Sequence, residues 1–297
     1  FLGWSMQLKS VSSSSMLSGI MYMLLAMFAL ATMDALAKHL VQDRFDPIQI
    51  LAMRGWIILV VMLVFYASRS KLRKLKPTKP MHQLARGVFG FLAPYCFFKS
   101  LQVLPLADAT VIFFSSTFMI TALSGPFLKE KVGVYRWSAV IMGFIGVIIA
   151  MDPQGGGEIE SYLYCLAGSF SYAILFISGR WLSRTESVDS LVFGFNFCLT
   201  LAATALAPSI WVSVAISDLW AIALFSMLAL IGHFFITHAF SQSDAAVIAP
   251  LEYTALIWAV LWGYLVWGDI PNQQVIIGAL IIIGCALLVI FREAKNR

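Results

Sequence analysis

The sequence predicts an all-α polytopic membrane protein whose ten transmembrane helices form two inverted five-helix repeats. Of its 297 residues, 60% are hydrophobic and only 12% are charged, whereas soluble domains average roughly a quarter charged residues. The apolar residues fall into ten blocks, many of them near the roughly 20 residues that cross a bilayer core. A sequence pattern in the first half of the chain also recurs in the second half.

The ten spans emerge when the chain is divided at charged residues, Pro and Gly. Blocks this long and this continuously apolar exclude the alternating strands of a membrane barrel. Helices are then the remaining structure that pairs every backbone group in lipid. The predicted spans are Met16–Leu40, Ile48–Ala67, Leu84–Val103, Ala107–Leu128, Tyr135–Met151, Tyr162–Trp181, Leu191–Trp211, Leu219–Phe240, Ala245–Trp267 and Gln274–Phe291.

Lys and Arg are distributed unequally between the predicted loops. A run of six lies between Arg69 and Lys79, and such a run favours a cytoplasmic loop over a nucleic-acid site. With the N-terminus in the cytoplasm, fifteen Lys and Arg lie on the inner side, whereas only Lys38 and Arg44 lie on the outer side. The positive-inside rule therefore predicts that both termini are cytoplasmic.

The two halves of the chain are similar to each other. The spaced pattern within Leu24–Leu40 recurs 142 positions later within Leu166–Leu182. Two further matches in the same order are Ala107–Ile112 with Ser243–Ile248, and Glu130 with Asp269. We interpret the three matches as a duplication. Five spans per half is an odd number, so the second half enters the membrane from the opposite side, and such halves enclose a site near mid-membrane.

This interpretation divides the chain into five parts. They are a flexible cytoplasmic N-terminus (residues 1–15), a first five-helix repeat (16–151), an extracytoplasmic linker (152–161), a second five-helix repeat (162–291) and a cytoplasmic C-terminal tail (292–297).

Enzyme chemistry, metals and cofactors are not predicted. The four cysteines all fall inside apolar spans without disulfide or zinc-ligand spacing. The sequence contains no phosphate-binding loop and no clustered His, Asp or Cys constellation. We therefore expect no enzyme activity, no cofactor, no metal and no nucleic-acid partner.

Short sequence motifs occur in both halves of the chain. They are Ala107-Asp108-Ala109, Leu128-Lys129-Glu130, Gly143-x2-Gly146, Ala249-Pro250-Leu251-Glu252-Tyr253, Trp267-Gly268-Asp269-Ile270-Pro271 and Gly278-Ala279-Leu280-Ile281. With these motifs the chain resembles the drug/metabolite transporter superfamily, specifically its EamA-like ten-helix members, over nearly all residues after Met16. Asp269 stands where the family more often has Glu, which keeps the negative charge.

The resemblance implies a secondary active transporter of the bacterial inner membrane that works by alternating access, coupled to protons or acting as an exchanger. The implied substrate is a small amphipathic metabolite such as an amino acid, an amine or an S-adenosylmethionine-like compound, and the second half is particularly similar to S-adenosylmethionine uptake members. A flippase of a lipid-linked small molecule is the alternative, followed by a receptor or assembly subunit. Expected partners are the substrate, the bilayer and protons, and a homodimer stays open.

Ionisable side chains inside membrane spans are costly, so each is a functional candidate. The resemblance implies that helices one, three, four, six, eight and nine line a central cavity. Glu252, on the ninth span, is the first choice to bind a cationic substrate or carry the coupling proton, and a paired residue at the cytoplasmic edge is the alternative. For His233, on the eighth span, proton relay and packing are equally favoured.

A second group of charges lies in the outer half of the predicted bundle. It consists of Asp34, Arg54, Lys99 and Asp108. Opposite charges at similar depth pair in membranes, so the group is interpreted either as an outer gate or as a static ion network. A further role is predicted for Lys99. If its ammonium group is unpaired and faces the cavity, it would bind a substrate carboxylate.

Aromatic and hydroxyl side chains complete the predicted site. The candidates are Tyr95, Phe98, Ser116, Tyr172, Phe176, Tyr253 and Trp258. An aromatic cavity with one acidic group suits an amphipathic cation or a ring-bearing metabolite. Packing between helices or contact with lipid is the alternative for each ring.

Overall fold

The structure is a computed structural model that describes residues 13–128, 133–152, 159–242 and 245–295. Regular structure in these ranges is entirely helical. The α-helices are α1 (Ser13–Asp43), α2 (Pro47–Ser68), α3 (Pro80–Ser100), α4 (Leu106–Phe113), α5 (Ser115–Leu128), α6 (Val134–Met151), α7 (Ile159–Leu182), α8 (Val188–Leu206), α9 (Leu219–Gln242), α10 (Ala245–Ile248), α11 (Thr254–Trp262) and α12 (Gln273–Lys295).

Nine helical stretches of the described residues are long and apolar enough to cross a membrane. The other long helix, α3, packs between α7 and α8, and its polar residues include Gln83 and Arg86. The prediction of an all-helical polytopic membrane protein is therefore confirmed. The predicted linker falls largely on residues 153–158, which lie outside the described residues, as do the predicted N-terminal segment up to residue 12 and the final two residues of the tail.

Helix starts follow local sequence signals. The Asp46 carboxylate accepts a hydrogen bond from the Ile48 backbone N–H (2.8 Å), and Pro47 occupies the first turn of α2, where a missing N–H costs nothing. Ser187 caps α8 by accepting a hydrogen bond from the Ser190 backbone N–H (3.1 Å). These caps allow loops of only a few residues between long spans.

Two of the predicted spans are broken within the membrane. The stretch predicted as Ala107–Leu128 divides into α4 and α5 at Phe114. The stretch predicted as Ala245–Trp267 consists of α10, a 3₁₀ turn (Ala249–Tyr253), α11 and a π-helical turn (Gly263–Trp267). Pro250 lies in that 3₁₀ turn and cannot donate a backbone hydrogen bond.

The helices pair in a pattern that relates the two halves. Helix α1 packs on α9, and α3 packs on α7; α1 also packs on α11, and α5 on α7. The pairs α2 with α8, α6 with α12, and α4 with α11 each join corresponding spans of the two halves. If each of the first five spans changes places with its counterpart among the last five, the first two pairs are interchanged, and so are the next two. The last three pairs are unchanged.

The backbones of helices α6 and α12 lie in close contact where the two helices cross. A Cβ atom added to Gly278 would lie 2.5 Å from the Gly146 carbonyl oxygen and 2.6 Å from the Ala150 Cβ, so neither can be accommodated without movement. Small residues of this kind allow membrane helices to pack closely. The glycines therefore set the crossing of the fifth and tenth spans.

One end of the bundle, here named end I, contains loops 44–46, 101–105, 207–218 and 268–272. Gln49, at the start of α2, donates a hydrogen bond from Nε2 to the Val212 carbonyl (2.7 Å) and accepts one from the Val212 N–H (2.9 Å). Arg44 forms an ion pair with Asp218 (2.7 Å). These contacts join the first half of the chain to the second.

The opposite end, end II, contains loops 69–79 and 183–187. The Glu186 carboxylate accepts hydrogen bonds from the Lys79 backbone N–H (2.6 Å) and the Ser190 hydroxyl (2.9 Å). Ser187 donates a hydrogen bond to the Lys74 carbonyl (3.1 Å). End II is therefore also closed by a contact between the halves, built from different residue types.

Candidate functional site

The two broken spans meet inside the bundle. Helix α4 packs against α11, and the Phe114 ring lies edge-on to the Tyr253 ring with centroids 5.0 Å apart. Irregular backbone at membrane depth is tolerated where it is buried in protein or lines a cavity, and in transporters such breaks form binding sites. The junction of α4, α5 and α11 is therefore the candidate site.

Glu252 lies in the 3₁₀ turn of the second broken span. Its side chain is half-buried and makes neither a hydrogen bond nor an ion pair with any residue that the structure describes. It lies within electrostatic range of the phenol groups of Tyr172 and Tyr253. A carboxylate with free acceptor oxygens in such surroundings has the capacity to bind a cation or a proton.

Aromatic rings from four spans surround this junction. Phe28 of α1 packs edge-on against Trp258 of α11 (4.9 Å between centroids), and Phe113 of α4 packs against Tyr172 of α7 (5.5 Å). Tyr172 is 38% exposed, so part of its ring is not covered by other protein groups. Phe176, one helical turn further along α7, is 49% exposed.

Hydroxyl groups follow the break between α4 and α5. Ser116 is buried, and Ser115 has no exposed surface at all. The Ser115 hydroxyl has no hydrogen-bond partner among the described residues. A hydroxyl buried without a partner is costly, so the broken helix retains unsatisfied polar capacity beside the site.

A cluster of ionisable groups lies on α1, α2 and α9. The Arg54 side chain is only 5% exposed, and its guanidinium lies 5.4 Å from the centre of the Phe225 ring. Arg54 is within electrostatic range of Asp34 and His233. Within the part of the chain that the structure describes, the side chains of Asp34 and Arg54 form no hydrogen bond and no ion pair.

A second group of charges lies at end I. Lys38 Nζ lies 3.0 Å from Asp269 Oδ2 and 4.7 Å from the centre of the Trp267 ring, and the Lys38 side chain is 3% exposed. Gly268, in the left-handed conformation (φ 72°), ends the π-helical turn and brings Asp269 to this position. Asp108 interacts electrostatically with Lys38 and Asp269, and its buried Oδ1 has no described hydrogen-bond partner.

The predicted outer-half charges are therefore distributed over two places. Asp34 and Arg54 lie together, whereas Asp108 lies beside the ion pair of Lys38 with Asp269. Lys99, at the end of α3, is half-buried and forms no ion pair among the described residues.

The predicted aromatic residues of α3 lie in packed surroundings. Tyr95 is stacked on Phe91, with ring centroids 5.5 Å apart. Phe98 is only 1% exposed and packs between the rings of Phe97 and Phe225. Phe98 thus supports the ring beneath Arg54 and has almost no surface open to a ligand in this conformation.

An apolar crevice of about 190 Å³ lies between α5 and α7. Its lining residues are Leu123, Phe127, Ile174, Ile177, Ser178 and Trp181. None of these belongs to the predicted site.

The chain matches the EamA-like transporter family over residues 17–151 and 160–291. It belongs to that family. A crystal structure aligns with this EamA-like transporter with a TM-score of 0.62 at 18% sequence identity, covering 94% of this chain and 98% of that one. The fold is therefore shared with a solved structure.

Two curated relatives of this EamA-like transporter have named activities. The S-adenosylmethionine uptake transporter of Rickettsia conorii is 26% identical over 279 residues, covering 94% of each chain. The pseudopaline exporter CntI of Pseudomonas aeruginosa is 29% identical over 281 residues, covering 91% of this chain and 95% of the relative. The chain is accordingly a multi-pass membrane transporter and not an enzyme.

Several site residues of this EamA-like transporter escaped the sequence analysis. Lys38 pairs with Asp269 at end I and lies over the Trp267 ring, and Phe28 and Phe113 complete the aromatic surroundings. The motif Trp267-Gly268-Asp269 was a usable signal, because a glycine between a large ring and a carboxylate indicates a tight turn. Phe28 and Phe113 carry no comparable signal in a chain with 23 phenylalanines.

Proposed function

We propose that this chain is a secondary active transporter that moves a small amphipathic metabolite of the S-adenosylmethionine type by alternating access. The observation that carries the proposal is Glu252, a half-buried carboxylate at a helix break beside aromatic rings. A sulfonium or ammonium group would pair with this carboxylate, and a purine-like ring would stack on Trp258 or Tyr172. The named activities of the two relatives, S-adenosylmethionine uptake and pseudopaline export, support a small metabolite as substrate.

The helix pairing supports two inverted repeats as the basis of this mechanism. Every helix pair named above has a counterpart when the halves are exchanged, and the family match falls into the stretches 17–151 and 160–291. In transporters of this design, the two halves rock around a site at their interface. The repeats proposed here are residues 16–151 and 162–291.

Charge supports an orientation with end I outside and both termini in the cytoplasm of a bacterial inner membrane. Two of the cations at end I, Lys38 and Arg44, pair with aspartates, whereas end II carries the basic run from Arg69 to Lys79. Basic loops are retained on the cytoplasmic side. In this conformation the ion pair of Lys38 with Asp269 then closes the outer mouth.

Coupling to protons or exchange of one solute for another completes the proposal. Glu252 serves either role, because a carboxylate releases its proton to bind a cation and regains the proton when the cation leaves. Imposed pH gradients across proteoliposomes distinguish the two. Uptake driven by a gradient identifies proton coupling, and uptake that requires internal substrate identifies exchange.

The test uses the full chain in proteoliposomes loaded with unlabelled S-adenosylmethionine, with counterflow of the radiolabelled compound as the readout. We expect Glu252→Gln to reduce the initial rate by about a hundredfold, because removing one charged partner of a buried contact costs roughly 3 kcal/mol. The matched control is Glu160→Gln, which changes an exposed carboxylate at the start of α7 and should leave the rate unchanged. Normal counterflow by a well-folded Glu252→Gln protein would remove Glu252 from the mechanism.

A flippase of a lipid-linked small molecule is the second candidate. The crevice between α5 and α7 favours it, because five of its six lining residues are apolar, as an acyl chain requires. Scrambling of a fluorescent lipid-linked substrate in the same proteoliposomes, without S-adenosylmethionine counterflow, would establish this alternative in place of the first.

A further inference from the structure

Arg54 is a buried cation whose hydrogen-bonding capacity is unused by the described residues. It is 5% exposed, its guanidinium lies over the Phe225 ring at 5.4 Å, and Phe225 has no exposed surface. A guanidinium has five N–H donors in a planar fork that matches a carboxylate. Buried charges are normally paired, so an arginine held in this way is suited to an anionic group that arrives with a ligand.

Asp34 supplies the opposite charge in the same place. It lies on α1 within electrostatic range of Arg54, yet the two form no ion pair in this conformation. Its carboxylate accepts no hydrogen bond from the described residues, and its side chain is only partly buried. A cation and an anion that interact electrostatically, and that have no partner among the described residues, suit a ligand that carries both charges.

The position of Asp34 also fits a ligand site. Lys38 lies one helical turn further along α1, roughly 6 Å nearer end I. Along α1, the ion pair of Lys38 with Asp269 therefore lies nearer end I than Asp34 does. Leu30, one turn in the other direction, packs against Gly232 beside His233, so this face of α1 is directed toward α9.

We propose that Asp34 and Arg54 form a subsite for the α-amino-acid group of the substrate. Arg54 binds the α-carboxylate through two parallel N–H···O bonds, and Asp34 binds the α-ammonium group. This inference rests on the proposed transport function and narrows its substrate class to α-amino acids and their derivatives. Arg54 is thus a second candidate, beside Lys99, for binding a substrate carboxylate.

The test measures binding to the purified full chain in detergent, with matched pairs of ligands. The pairs are S-adenosylmethionine with its decarboxylated analogue, methionine with 3-(methylthio)propylamine, and tryptophan with tryptamine. We expect the wild-type chain to bind the acid of at least one pair about tenfold or more tightly than the amine, as expected for a charged hydrogen-bonded contact. Arg54→Met should weaken binding of that acid and leave binding of its amine unchanged.

The corresponding test of Asp34 uses methionine and 4-(methylthio)butanoate, which lacks the ammonium group. Asp34→Asn should abolish the preference for methionine. The control is Arg86→Met: Arg86 is a half-buried arginine of α3, and it donates hydrogen bonds to the carbonyls of Leu175 and Leu191. We expect this variant to lose thermal stability while keeping the ratio of affinities within each pair.

Three results would overturn the subsite: equal binding of acid and amine by the wild-type chain, equal weakening of both by Arg54→Met, or binding of no ligand in the panel. If Arg54→Met does not fold, Arg54→Lys serves instead, and an unchanged preference for the acid would contradict bidentate binding. Failure of the transport function is a separate result. It would appear as absence of solute movement by wild-type proteoliposomes, whatever binds in detergent.

Discussion

Lys38 and Asp269 lie 231 positions apart and on opposite sides of the proposed repeat boundary, yet their side chains are 3.0 Å apart. The Lys38 side chain is 3% exposed and that of Asp269 is 31% exposed, so the lysine is fixed in the protein and the aspartate is open to water. Asp108 is a second carboxylate within electrostatic range of the same lysine. Lys38 therefore interacts with a second carboxylate in addition to Asp269.

Exchange of the two charges tests whether this ion pair closes end I during transport. Lys38→Asp and Asp269→Lys alone should each lower counterflow about tenfold or more, because one buried charge is left without its partner. The double variant should recover most of the rate, since the opposite charges meet again.

The control for this exchange is the ion pair of Arg44 with Asp218. The Arg44 side chain is 40% exposed and that of Asp218 is 15% exposed. Solvent screens this pair more than the pair with the buried Lys38, so reversing the charges of Arg44 and Asp218 should lower the rate less than reversing those of Lys38 and Asp269. Equal losses in the Lys38 single and double variants would mean that side-chain identity, and not the pairing, matters at end I.

At the scale of helices, prediction succeeded where the signal is local. The start of α2 follows from Asp46 and Pro47, and the lengths of the spans follow from apolar runs that a bilayer requires. The sequence did not predict the break between α4 and α5, because the residues at the break are Phe113, Phe114 and Ser115, and none of them is Pro or Gly. At that break α4 packs against α11 and α7, and periodicity within one helix does not encode contacts between helices.

The crossing of α6 and α12 permits a test at this scale. Gly278→Ala should destabilise the protein by about 1 to 3 kcal/mol, the usual cost of overpacking, because its methyl group would meet the Gly146 carbonyl and Ala150. Gly284→Ala, in the same helix, has no atom within 4 Å of its new Cβ and should leave stability unchanged or raise it, since Ala favours helix.

Thermal unfolding of both variants in detergent, followed by tryptophan fluorescence, gives the comparison. A lower midpoint for Gly278→Ala with an unchanged or higher midpoint for Gly284→Ala is the expected result. Equal midpoints would indicate that the two helices are able to separate at this crossing without cost.

At the scale of the whole molecule, the halves are joined at both ends by contacts of different chemistry. Ion pairs and an amide bridge join them at end I, whereas Glu186 joins them at end II. Burial alone would raise the pKa of Glu186. Hydrogen bonds from the backbone N–H groups of Thr78 and Lys79, and from Ser190 and Gln83, outweigh burial and hold the pKa below its usual value of 4.5.

This lowered pKa leads to a pH dependence with a definite sign. The stabilisation from Glu186 is present above the usual pKa of about 4.5 and is lost as the pH falls through the lower value of the folded protein. Glu186→Ala should lower the midpoint of thermal unfolding at pH 7 by about 2 to 4 °C, the shift that about 1 kcal/mol produces. Below about pH 4.5 its midpoint should approach that of the wild-type chain. Parallel curves over the whole pH range would contradict this role.

The candidate site was only partly predictable at this scale. Glu252 was identified because a carboxylate in an apolar span stands out, and its position at the 3₁₀ turn agrees with the proline beside it. The partners of Lys38 and the surroundings of Arg54 depend on which helices meet. These contacts between helices join residues more than 150 positions apart, for example Arg54 and Phe225. No local sequence pattern specifies such contacts.

The backbone contact between Gly146 and Gly278 offers a fixed reference for spectroscopy. Ile145 and Ile277, the neighbours of these glycines in sequence, are 42% and 40% exposed, so we expect spin labels at these positions to leave the contact undisturbed. Distances from these labels to labels on α1 or α9 would report displacement of those helices alone. The width of the distance distribution between the two reference labels would show how much this contact itself varies. Changes in the other distances would be compared with that width.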